Sequence, residues 1–172
     1  MATTYSGLYL ETRRALKSAG SVASDLSARE LVCAASGKTK EALFRDANLY
    51  VSGELEARVR ELVRRHLDGE PVAYIIGEWE IYGLTLAVSP SVLIPRPDTE
   101  TLVERTVEYL RTQPPCRVLD LCAGCGCVGL AVASQVPEAK VVLGDISDDA
   151  LKLCSRNIWS NSFSGRDRKS VV

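Results

Sequence analysis

Along the first seventy residues, apolar positions recur at helical spacing. Leu8, Leu10, Ala15 and Leu16 precede Gly20 and predict a first helix. Ser27 and Glu30 form a capping box for "ARELVCAASG", a second helix that Gly37 should end. The stretch "TKEALFRDANL" predicts a third, short helix. Residues 54–67 place Leu55, Val59, Leu62, Val63 and Leu67 on one face, ahead of the stop formed by Asp68, Gly69 and Pro71.

The period then changes from helical to alternating. "EWEIYG" and "LTLAVS", on either side of Gly83, predict a hairpin. Pro95 and Pro97 fix an extended segment, with Asp98 placed to cap a helix over 99–112. "CRVLDLC" reads as a buried strand, "VGLAVASQV" as a helix, "AKVVLGDIS" as a second strand and "DDALKLCSRNI" as a helix capped by Ser147. After Ile158 the pattern fails, so "WSNSFSGRDRKSVV" is expected to fray, with Trp159 packing just after the last helix. Strand, helix, strand in this order predicts an α/β fold. The expected organisation is a helical domain over 1–70, a hairpin linker over 71–97 and a partial α/β domain over 98–172.

Composition narrows the partners. The 172 residues carry 21 Lys and Arg against 22 Asp and Glu, so the broad basic face of a nucleic-acid binder is not expected. The arginines at 58, 60, 64 and 65 alternate with Glu54, Glu56 and Glu61, as on a solvated helix face. His66 falls in the last turn of that helix, where positive charge is favourable. The N-terminus carries Glu11 and lacks an apolar signal core, and no window approaches the roughly 18 apolar residues of a membrane span. A cytoplasmic monomer without membrane contact is expected, its six cysteines held as thiols.

The candidate chemistry lies in "DLCAGCGCVGL", residues 120–130. Gly124, Gly126 and Gly129 follow a strand and open a helix, and Asp145 ends the next strand. Such glycines let a ligand approach the backbone, and such an acid can accept two ribose hydroxyls. One reading is a dinucleotide site, but Asp120 would oppose a pyrophosphate at the helix N-terminus. S-adenosylmethionine, with its ammonium and sulfonium groups, suits that acid better. Cys122, Cys125 and Cys127 also spell C-x-x-C-x-C, yet no second knuckle supplies a fourth ligand. A packing role for these cysteines under a tight turn is the favoured reading, with no metal. Trp79 and Tyr82, flanking the hairpin, read as core residues.

Longer stretches carry a family resemblance. "GEPVAYIIGEWEIYGLTLAVSPSVLIPRPDTETLVE", then "VLDLCAGCGCVGLAVA" and "VVLGDIS", resemble the protein-(glutamine-N5) methyltransferases of peptide chain release factors, the HemK/PrmC family. The likeness runs from about Tyr5 to Ile158. It implies a helical domain that docks the release factor, a β-hairpin linker and the first part of a Rossmann-like class I methyltransferase domain. It also implies S-adenosyl-L-methionine as cofactor and N5-methylation of the glutamine in a Gly-Gly-Gln motif. The cofactor loop implied is Cys122, Ala123, Gly124, Cys125 and Gly126, with Asp145 as ribose acid and Asp120 near the methionine end. Ile94, Pro95, Arg96 and Pro97 would line the approach.

Two departures stand out. The family's loop usually begins with glycine where this chain has Cys122, and a Cβ at positive φ costs about 1 kcal/mol. The family's Asn-Pro-Pro-Tyr motif, which holds the substrate amide, has no counterpart in the sequence. Two strands and two helices cannot cover a parallel sheet on both faces. The expectation is therefore a fragment that is inactive alone and has no catalytic residue of its own, or, alternatively, a non-catalytic protein-interaction fragment.

Overall fold

A computed structural model describes residues 3–163. The last nine residues of the tail expected to fray lie outside the described residues. The chain divides into two compact units, Met1–Ile76 and Gly77–Val172.

The described residues of the first unit form five helices: α1 Tyr5–Ser18, α2 Ser24–Ser36, α3 Lys40–Arg45, α4 Gly53–Leu67 and α5 Val72–Ile76. Thr4, Thr39 and Ser52 cap α1, α3 and α4, each accepting a backbone N–H from the first turn. Helix α1 buries Leu8, Thr12 and Leu16, four residues apart, and leaves Leu10 and Ala15 exposed. The buried stripe is thus narrower than the apolar pattern predicts and includes a threonine. Helix α2 starts at Ser24, a turn before the expected capping box. Ser27 is buried inside it, with its N–H donating to Ala23 O. Gly37 ends α2 in the left-handed region at φ 66°, as expected. Leu16, Leu31 and Val32 are fully buried with Val59 and Val63 of α4, and each such aliphatic side chain contributes about 1.5–3 kcal/mol. The short α5 lies within the stretch read as linker, and it completes this core through Val72 and Ile75.

The second unit opens with an antiparallel hairpin, β1 Glu78–Ile81 and β2 Leu84–Ala87. Tyr82 and Gly83 both have positive φ, 52° and 75°, as a two-residue type I′ turn requires. Helix α6 is Pro97–Leu110, and Pro97 occupies its first turn. Its N-cap is Arg96, so Asp98 sits inside the helix and acts on its dipole without capping it. Strands β3 Arg117–Leu121 and β4 Lys140–Gly144 pair in parallel, with α7 Cys127–Gln135 between them and α8 Asp148–Ser160 after β4.

Val103 and Val107 of α6 pack with Ala131 and Val132 of α7, against Val118 and Val141 of the sheet and Tyr82 and Leu84 of the hairpin. Trp79 is half-buried. Side chains on the opposite face of the sheet remain open: Leu119 and Leu121 are 59% and 68% exposed. Trp159 lies within α8 and is 75% exposed, against the expectation that it packs after the helix. Among the described residues no helix is long and apolar enough to cross a membrane.

Candidate cofactor site

Parallel register builds the site. Leu121 pairs with Gly144, so the loop leaving β3 and the acid leaving β4 emerge side by side at the carboxyl ends of the strands. The Ala123 N–H donates to Gly144 O at 3.0 Å, and the Gly126 N–H closes a turn on Ala123 O at 2.8 Å. Gly124 and Gly126 have φ of 57° and 84°, a region that an L side chain enters only with strain. Open space surrounds the position a Gly124 Cβ would take, whereas one at Gly126 would press on Leu143, Leu130 and Cys154. One glycine thus borders open space and the other is packed against side chains.

Asp145 binds the loop directly. Its Oδ2 accepts the Gly124 N–H at 2.8 Å and its Oδ1 the Ser147 N–H at 3.0 Å. These bonds, from Ser147 and then Gly124, hold its carboxyl below the ordinary carboxylate range. Ser147 in turn caps α8 by accepting the Ala150 N–H.

Asp120 points to the other side. Its Oδ2 accepts the Gly129 N–H at 2.9 Å in the first turn of α7, a helix whose N-cap, Gly126, has no side chain to offer. Burial pushes the Asp120 carboxyl up, with the neighbouring Asp145 charge adding to it and the Gly129 bond opposing it. Gly129 itself is forced by space: a Cβ there would collide with Leu143 and crowd Val141 and the Asp120 carboxylate.

The cysteines divide by environment. Cys125 and Cys154 are buried, Cys127 is half-buried, and Cys122 is exposed at φ 60°. Packing thus accounts for Cys125 and Cys154 and does not account for Cys122, whose Cβ carries the strain anticipated at that position. The Cys154 thiol donates to Gly124 O at 3.1 Å, and burial first, then Asp120 and Asp145, push it up to about 12. Cys127 is raised by its hydrogen bond to Cys125 and by burial. Among the described residues, no three His, Cys, Asp or Glu side chains are grouped to hold a metal.

All seven residues expected to bind cofactor, Asp120, Cys122, Ala123, Gly124, Cys125, Gly126 and Asp145, therefore lie in the loop or at the two strand ends beside it. Pro95 is buried and Arg96 exposed in the segment leading to α6. Asn157 was not anticipated. Its fully buried carboxamide donates to Cys125 O at 2.8 Å. A polar residue seven positions beyond Ala150 and three beyond Cys154, on the buried stripe of α8, was the available signal.

Residues 8–77 match the family model described as the PrmC N-terminal domain, and residues 99–170 match one described as lysine methyltransferase. A release factor glutamine methyltransferase of Aliivibrio fischeri is 38% identical over 161 residues, which are 94% of this chain and 56% of that protein. The Escherichia coli protein of the same name is 48% identical over 96 residues, 56% of this chain and 34% of its own length. A Koribacter versatilis relative, also so named, is 36% identical over 83% of this chain and 51% of its own. The chain spans about half the length of the curated relatives it matches, or less. With an N-terminal helical unit and a glycine-loop α/β unit both matched in order, the chain belongs to the PrmC/HemK family of release factor glutamine methyltransferases.

Proposed function

We propose that this chain binds S-adenosylmethionine at Cys122, Ala123, Gly124, Cys125 and Gly126, between Asp120 and Asp145. Its reaction would be N5-methylation of the glutamine in the Gly-Gly-Gln motif of a peptide chain release factor. The observation that carries the cofactor reading is the Asp120 carboxylate seated on the Gly129 N–H. A dinucleotide would bring its pyrophosphate to that helix end and meet an anion already there, whereas the ammonium of S-adenosylmethionine is attracted to it. The room at Gly124 fits close approach of a ligand to the backbone. Each Asp145 oxygen accepts one backbone N–H and keeps lone-pair capacity for one of two vicinal hydroxyls.

When bound, the cofactor supplies an electrophilic methyl group on a sulfonium centre. The chain's own residues hold and orient it: Asp145 fixes the ribose, the loop backbone lies along it, and Asp120 receives its positive end. The helical unit Met1–Ile76 docks the release factor, and Ile94, Pro95, Arg96 and Pro97 line the approach. The names of the relatives support this partner, and the balanced charge offers no excess of positive charge for nucleic acid. An amide nitrogen is a weak nucleophile that must be oriented. These 172 residues contain no Asn-Pro-Pro-Tyr motif to do so, so they are expected to bind cofactor without transferring its methyl unaided.

Titration calorimetry with S-adenosylhomocysteine tests the reading. A micromolar Kd that Asp145→Ala weakens at least about tenfold, the loss of one charge-assisted hydrogen-bonding group, supports it. No heat at millimolar ligand refutes it. Methyl incorporation from labelled S-adenosylmethionine into a release factor would overturn the expectation that transfer is lacking.

A further inference from the structure

Among the described residues of the second unit, Asn157 is the one buried polar side chain, and its carboxamide joins two elements that are remote in sequence. Its Oδ1 accepts the Ala87 N–H at 2.7 Å, and its Nδ2 donates to Ala87 O at 3.1 Å. Asn157 therefore meets Ala87 as the peptide group of a neighbouring strand would, at the last residue of β2. The second Nδ2 hydrogen goes to Cys125 O at 2.8 Å, in the loop whose adjoining Gly124 N–H is held by Asp145. Farther along α8, the Asn161 side chain donates to Thr85 O at 3.0 Å, so helix and strand are fastened at two points. Both Nδ2 hydrogens are committed, and an aliphatic side chain would leave Ala87 N–H, Ala87 O and Cys125 O buried without partners.

We propose that Asn157 is a positioning residue coupling the glycine loop to strand β2, so that a ligand held by the loop tightens the hairpin end and the segment 88–96 that follows. This rests on the cofactor reading of the loop only for the identity of the ligand. The coupling itself is a property of the three Asn157 hydrogen bonds and the Asp145–Gly124 bond. It runs from Asp145 to the Gly124 N–H, along the backbone of Gly124 and Cys125 to the Cys125 carbonyl, and through Asn157 to the Ala87 amide.

Amide exchange by NMR on the full chain tests it through a double-mutant cycle. Asp145→Ala frees the Gly124 N–H, and coupling predicts that the Ala87 amide then exchanges about fivefold faster. In an Asn157→Ala background the same change should leave Ala87 exchange within about a factor of two. An Asn157 that only stabilises the fold gives independent effects, with Asp145→Ala acting on Ala87 equally in both backgrounds or in neither, and that result overturns the proposal. If Asn157→Ala does not fold, Asn157→Asp takes its place, keeping the acceptor for Ala87 N–H and removing both donors. In the wild-type chain, S-adenosylhomocysteine should slow Ala87 and Val88 exchange. Binding seen by calorimetry without that protection also overturns the coupling. Absence of binding instead refutes the cofactor reading and leaves the mutant cycle to decide the coupling.

Discussion

At the scale of single residues, two positions near the loop carry opposite costs. Gly129 has no room for a Cβ, because Leu143, Val141 and the Asp120 carboxylate fill the space. Gly129→Ala should therefore destabilise the second unit by about 1–3 kcal/mol, the range for overpacking a tight core, as read from urea unfolding. Cys122 presents the reverse case, an exposed side chain on a backbone at φ 60°. Cys122→Gly should raise stability by up to about 0.5 kcal/mol, the relieved strain less the greater freedom glycine gives the unfolded chain. A fall in the unfolding midpoint would show that the thiol makes a contact worth more than the strain. The sequence announced Gly124, Gly126 and Gly129 equally, yet three different reasons apply: a left-handed turn in open space, a left-handed turn with packing, and packing alone.

Between elements, the clearest electrostatic tie lies in the first unit. Lys38, just after α2, meets Asp46 at the end of α3 at 2.6 Å, and Arg45 reaches the same carboxylate at 3.0 Å. Hydrogen bonds from Arg45 and Lys38 pull the Asp46 carboxyl down to about 2. Its folded pKa lies below its unfolded one, so this stabilisation is complete above the ordinary carboxylate range and is lost as pH falls toward about 2. The unfolding midpoint of Asp46→Asn should accordingly lie below that of the unsubstituted chain near neutral pH, and the two should converge between about pH 5 and 2. Parallel curves across that range would contradict the assignment. Element type was legible because the hydrophobic period changes from helical to alternating near residue 78. Element ends were less so: Ser27 and Asp98 looked like caps, while the helices begin at Ser24 and Pro97. Backbone partners supplied by the preceding residues decided where each first turn closed.

On the scale of the whole molecule, each unit has its own core, and the two differ in how well they are covered. Helices surround Leu16, Leu31 and Val32 in the first. In the second, α6 and α7 cover one face of the β3–β4 pair, while Leu119 and Leu121 stand in the open on the other. A parallel sheet ordinarily has both faces buried, so these leucines should bind an apolar dye. Replacing both with threonine, which keeps β propensity, should lower 1-anilinonaphthalene-8-sulfonate fluorescence without lowering the unfolding midpoint. An unchanged dye signal would place the exposed apolar surface elsewhere.

The sequence by itself determined the helical first unit, the hairpin at Gly83, and the strand, glycine turn, strand, acid order that points to the candidate site. These follow from local periodicity and from the few residues that tolerate positive φ, both of which are written in neighbouring positions. Only the tertiary structure decided that Asp120 faces the helix while Asp145 faces the loop, and that Asn157 joins Cys125 to Ala87 across separations of 32 and 70 residues. Hydrogen bonds of that reach depend on parallel register and on the packing of α8, which no local pattern encodes.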